Sequence, residues 1–163
     1  MAGFGSGFEP GGGGGKSLLF ASAFCTVNTI NVIGSVWQLI TFDTFNIGTL
    51  AMWDAVNKRL RCTVTGLYEF YTCVQLENLA GGTIVEMASG KNSIGAPDAA
   101  PINYVPYAST SVSYAGPAIT RPVTLSAGDY INVFMWHNGT VGRTRGAAGG
   151  ALTYGIASLR QVG

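Results

Sequence analysis

Gly15-Lys16-Ser17 closes the run PGGGGGKS, and these three residues match the tail of a phosphate-binding loop. Such a loop cradles phosphate with backbone N–H groups and reaches it with the lysine, and it needs a glycine five positions before Gly15. That position is Pro10, which has no N–H and a fixed φ. The loop must also follow a strand and open a helix. Nothing strand-like precedes residue 10, and the downstream SLLFASAFCTVNTI is apolar and β-leaning. The run reads as a glycine tether, and nucleotide binding is not expected.

The other reactive residue types form no constellation. Cys25, Cys62 and Cys73 are an odd number in a long chain, with no CxxC pair and no Cys/His cluster for zinc. They read as buried thiols of a protein made in a reducing cytoplasm. His137 is the lone histidine, beside Trp136 near a strand end, and a structural or surface role is expected. Arg143 and Arg145 lie in HNGTVGRTRGAAGG, a glycine-rich stretch read as a loop before the last strand. No Ser/His/Asp order and no paired carboxylates stand near them. They are solvated arginines, or candidate contacts for an anion or glycan. Loop 91–118 carries Tyr104, Tyr107 and Tyr114 among Pro, Ala, Ser and Asn, a composition that suits either a binding loop or ordinary packing. Asn138-Gly139-Thr140 matches the glycosylation sequon, which has meaning only on a secretory route. No enzyme, cofactor or metal is expected.

With 163 residues the chain fits one domain, able to bury about two-thirds of its unfolded surface. It is 47% hydrophobic and only 10% charged, against a usual charged fraction of about 25%. A lone domain of that composition exposes much neutral surface, which a symmetric oligomer would bury. The net charge of +1 leaves no footprint for nucleic acid. No apolar run reaches the roughly 18 residues that span a bilayer, and no secretory signal is expected at the N-terminus.

Residues 1–16, MAGFGSGFEPGGGGGK, read as a flexible Gly-rich arm whose only large apolar groups are Phe4 and Phe8. Residues 17–163 read as one all-β domain. Short β-branched and aromatic runs, separated by Gly, Asn, Asp, Pro and Ser, predict strands near 18–28, 35–42, 50–54, 58–64, 67–77, 83–89, 109–115, 119–125, 129–137 and 151–160. Ten short strands make a sandwich or jelly roll. In KRLRCTVTGLYEFYTCVQL, Leu60, Cys62, Val64, Tyr68, Phe70 and Thr72 share one parity and form the expected core face. The opposite parity starts polar and turns apolar at Tyr71 and Cys73, as if that strand were covered on both sides. Cys62 and Cys73 therefore face opposite ways and do not pair.

These same residues resemble the globular head of complement C-one-q and its relatives in the tumour necrosis factor superfamily. Phe42, Trp53, Gly66, Tyr68 and Phe70 match the family signature. Leu60 stands where phenylalanine is usual, Gly48 where Asn or Asp is usual, and Thr72 where an aromatic is usual. VTLSAGDYINVFM resembles the family's turn and following strand through Leu125, Gly128, Asp129, Ile131 and Val133, and LTYGIASL its last strand, with Gly155 in the small position. The likeness spans about 18–161, is specific in 42–72 and 123–134, and leaves 90–118 unread.

The resemblance implies a ten-stranded jelly roll forming a homotrimer, with the strand after Gly66 and the last strand at the threefold axis. Tyr71, Cys73, Tyr154 and Ile156 are then the trimer contacts. The strands within 58–77, which local rules would join as a hairpin, are sent into opposite sheets. Without a collagen stalk or a Gly-X-Y period in the arm, the expectation is a structural protein of a virion surface, of bacteriophage type. It would be a capsid decoration or head-fibre knob made in the host cytoplasm, attached to a major capsid or other virion protein through residues 1–16, and able to contribute to host-surface binding. The rival reading is a cell- or spore-surface adhesin, a lectin-like head that binds carbohydrate or protein.

Overall fold

Punctuated β-branched and aromatic runs become strands throughout the described chain. The computed structural model describes residues 19–25, 31–77, 79–80, 82–97, 103–108, 114–144 and 155–162. The expected arm with Phe4 and Phe8, and the expected site residues Arg145 and Tyr154, lie outside them. In chain order the strands are β1 (Phe20–Phe24), β2 (Asn31–Ile33), β3 (Gln38–Ile40), β4 (Thr44–Gly48), β5 (Trp53–Asp54), β6 (Arg59–Arg61), β7 (Gly66–Val74) and β8 (Leu76–Glu77). There follow β9 (Ile84–Lys91), β10 (Asn103–Ala108), β11 (Tyr114–Ala115), β12 (Ala118–Leu125), β13 (Tyr130–His137), β14 (Val141–Thr144) and β15 (Gly155–Gln161). One 3-10 turn, Leu50–Met52, occupies the start of the strand expected at 50–54.

The ladders are antiparallel and build two main sheets. One runs β12-β7-β15-β1-β4; the other runs β10-β9-β13-β6-β5, with β3 also on β13. A smaller sheet runs β11-β8-β14-β2. The core fills the space between the main sheets with one parity from each strand, including Ala21, Tyr68, Phe70 and Leu159 from the first and Leu60, Met87, Val133 and Met135 from the second.

Strands β6 and β7 go to opposite main sheets, as the resemblance implies. Residues 62–65 carry the chain between them, and here one expectation fails. Leu60, Cys62, Tyr68, Phe70 and Thr72 are buried, but Val64 is 48% exposed. The chain has left the strand at Val64, so strand parity no longer fixes its side. Its carbonyl instead accepts the Tyr68 hydroxyl at 2.6 Å and the Cys62 thiol at 2.7 Å, tying the crossover to the core.

Gly48 departs from the family pattern for a steric reason. Its φ is +115°, and a Cβ there would stand 2.0 Å from the Phe20 carbonyl oxygen. Only glycine tolerates both conditions without moving β1. The turn from β12 to β13 is held by Asp129, whose carboxylate accepts the Ser126 N–H at 2.7 Å, Lys91 Nζ at 2.7 Å and Asn92 Nδ2 at 2.8 Å. Leu125, Ile131 and Val133 on either side are core residues.

Four described strands were not expected from sequence: β2, β4, β10 and β14. β4 pairs with β1, β10 with β9, and β14 with both β2 and β8.

Candidate functional site

Strand β7 alternates cleanly, so every second side chain leaves the core and faces away from it. Tyr68, Phe70 and Thr72 point inward and are buried, whereas Leu67, Glu69, Tyr71 and Cys73 form the outer parity. Residues directly opposite across an antiparallel ladder share a face. Tyr71 is therefore flanked by Ser158 on β15 and Thr120 on β12, and Cys73 by Ile156 and Ala118. The next strand continues the rows, with Ser22 opposite Ser158 and Phe24 opposite Ile156. Ile47 lies opposite Ser22 on β4 and is 59% exposed.

The open face of the five-stranded sheet thus brings together three of the four expected trimer contacts. Tyr71, Cys73 and Ile156 are each half-buried in the single chain. Phe20 and Phe24 join them, also half-buried. Sequence reasoning placed a strand over these two residues without assigning its faces. The spacing Phe20, Ser22, Phe24 held the signal, but the alternating alanines of FASAF made both parities look apolar.

On the described outward positions of β1, β7, β12 and β15 the only formal charges are Glu69 and Arg160, and they stand opposite each other. Burial pushes the Tyr71 hydroxyl upward, with the Cys73 thiol adding to the rise, and burial likewise raises Cys73. Both stay neutral near pH 7 and add no charge to the face, which is poor in charge and mixes aromatic and aliphatic groups with Ser22, Ser158 and Thr120.

Of the candidate ligand residues, Tyr104, Tyr107 and Arg143 fall on described strands. Tyr104 and Tyr107 belong to β10, in register with Ala88 and Val85 of β9. Arg143 belongs to β14 in the small sheet, in register with Asn31 and Glu77. The backbone thus assigns Tyr104 and Tyr107 to a main sheet and Arg143 to the small sheet.

The reactive side chains are tied up structurally. All three cysteines are free; Cys25 and Cys62 are buried. Burial, then the nearby Asp43 carboxylate, pushes the Cys25 thiol up to about 12, and a thiol that stays protonated is a poor nucleophile. His137 is fully buried at the end of β13, with both ring nitrogens engaged by backbone. Among the described residues no group of three His, Cys, Asp or Glu could hold a metal ion.

No family model matches this sequence, and no curated protein sequence matches it. Similarity lies in the fold. The chain superposes on Eiger TNF from S. frugiperda with a TM-score of 0.57 and 13% identity, covering 89% of this chain and 94% of that one. With murine APRIL, crystallised at pH 5.0, the TM-score is 0.58 at 12% identity, covering 88% and 99%. At such identity the shared property is architecture: this chain folds as an all-β jelly roll of the tumour necrosis factor type.

Proposed function

We propose that this protein is a non-catalytic head that assembles as a homotrimer through the open face of the five-stranded sheet and is displayed on a virus particle, anchored by residues 1–16. The observation that carries the assembly half is the composition of that face. Phe20, Phe24, Tyr71, Cys73 and Ile156 are half-buried there in a single chain, and the formal charges at its described strand positions are confined to the opposed Glu69 and Arg160. A second copy would remove the remaining apolar area from water at about 25 cal/mol per Å². It would also account for a chain that is only 10% charged.

The display half rests on the sequence of the arm. Residues 1–16 hold two large apolar groups, Phe4 and Phe8, followed by five consecutive glycines. Phe4 and Phe8 would be the anchors, each contributing about 1.5–3 kcal/mol if fully buried in a capsid protein. The glycines let the chain turn between a threefold head and a differently oriented partner. The head would then be a capsid decoration or head-fibre knob on the particle surface, able to touch host-surface glycan or protein.

The test is a chain beginning at Lys16. It should remain a soluble trimer of unchanged thermal stability and fail to co-sediment with particles, and Phe4→Ala with Phe8→Ala should behave the same way. Full incorporation of the shortened chain would show that docking uses the head itself. Glycan binding without any particle association would replace the virion reading with an adhesin.

A further inference from the structure

Asn138-Gly139 is the one Asn-Gly pair in the chain, and it forms the turn between β13 and β14. Its surroundings are specific. His137 Nε2 lies 2.8 Å from the Val32 carbonyl oxygen. A carbonyl only accepts, so Nε2 carries the proton and Nδ1 is left as a lone-pair acceptor. That lone pair accepts the Gly139 N–H at 3.1 Å. The Asn138 side-chain carbonyl oxygen accepts the Ile84 N–H at 2.8 Å. Asn138 itself is exposed to water.

Each contact matches a requirement of one reaction. An asparagine side chain can be attacked by the nitrogen of the next residue, closing a five-membered imide. The attacking N–H must lose its proton, which calls for a base within hydrogen-bond reach. The amide oxygen gathers negative charge, which calls for a fixed donor. The following residue must not crowd the ring, which favours glycine. His137 Nδ1, the Ile84 N–H and Gly139 meet these three needs.

The backbone around the turn is also held in place. Ser35 N–H donates to the His137 carbonyl at 2.7 Å and Gly34 N–H to the Thr140 carbonyl at 3.2 Å. A Cβ on Gly34 would stand 1.6 Å from the Gly139 carbonyl oxygen, so the two turns are in direct backbone contact.

We propose that Asn138-Gly139 is a self-modifying site, at which His137 acts as the base and the Ile84 N–H as the donor for conversion of Asn138 to an imide and then to aspartate and isoaspartate. The Gly139 nitrogen forms a bond to Asn138 Cγ as its proton passes to His137 Nδ1. The bond from Cγ to Nδ2 breaks, and His137 returns the proton to the departing nitrogen, which leaves as ammonia. Water then adds to either imide carbonyl and opens the ring, giving aspartate when the original backbone bond is kept and isoaspartate when it is not. No oxidant or cofactor enters. The product places a new carboxylate in a turn that carries none in its unmodified form.

The experiment follows conversion of Asn138 by peptide mapping with mass spectrometry, in the folded chain and in the same chain held unfolded in denaturant at the same pH. With a positioned base, the folded chain should convert Asn138 about tenfold faster or more. His137→Gln keeps a side chain that can donate to Val32 and accept from Gly139 but is no base, and it should bring the rate down to the unfolded value or below. Ile84→Pro, at the first residue of β9, removes the donor while leaving His137 in place, and should slow conversion in a chain that folds even if His137→Gln does not. A folded rate equal to or below the unfolded rate would overturn the proposal, because the contacts then shield Asn138. An unchanged rate in folded His137→Gln, or in folded Ile84→Pro, would overturn it as well.

Discussion

Tyr71 and Ser158 stand directly opposite each other across β7 and β15, on the side of the sheet that faces away from the core. The large ring therefore has a small neighbour beside it, and a second chain can approach the pair closely. Because the side chain of Tyr71 leaves the core, its replacement separates assembly from folding. Tyr71→Asp should leave a folded chain with the same strand content and place an unpaired carboxylate in the proposed trimer interface. The expected loss is about 3–5 kcal/mol of association free energy, read as a shift to monomer in sedimentation. Unfolding of the isolated chain instead would show that Tyr71 serves the core.

Tyr68 makes the opposite case. It is fully buried, and its hydroxyl holds the crossover through Val64. Burial, followed by the neighbouring Cys62 thiol, pushes its ionisation up to about 12 from 10.0. A raised acid is neutral in the folded state, so its contribution is complete below pH 10.0 and is lost as pH rises towards about 12. Tyr68→Phe should cost about 0.5–1.5 kcal/mol near neutral pH. It should also remove part of the alkaline fall in melting temperature, which thermal scans across that window measure.

The fate of the Tyr68 strand was legible in the sequence because nine residues alternate without interruption, and tertiary contacts only confirm the period. Tyr71 and Cys73 were placed on one face for the same reason, whereas Ile156 joined them only through the family resemblance. What escaped was short, interrupted or at an edge. β10 contains Pro106, which argues against a central strand, yet β10 is the outermost strand of its sheet and needs no N–H on its free side. β14 reads VGRT inside a glycine-rich stretch, and only its partners on both sides make it a strand. Val64 kept the right parity in sequence but lies where the chain crosses between sheets, beyond the reach of a period-two rule.

Asp129 sets the behaviour at the other end of the pH scale. Hydrogen bonds from Lys91, then Asn92 and the Ser126 N–H, hold its carboxyl down to about 2 from 3.8. A depressed acid contributes fully above 3.8, and that stability disappears as pH falls through about 2. Asp129→Asn should therefore lower stability at neutral pH while flattening the acid limb of the melting curve. An acid limb identical to that of the unchanged protein would show that other carboxylates dominate it.

The most direct measurement is the mass of the full-length protein in solution, by light scattering or native mass spectrometry across a dilution series. The expected result is a species of three chains that persists on dilution and is lost in Tyr71→Asp. A stable single chain of 16.9 kDa at all concentrations would contradict assembly through the five-stranded sheet, and with it the explanation of the low charge.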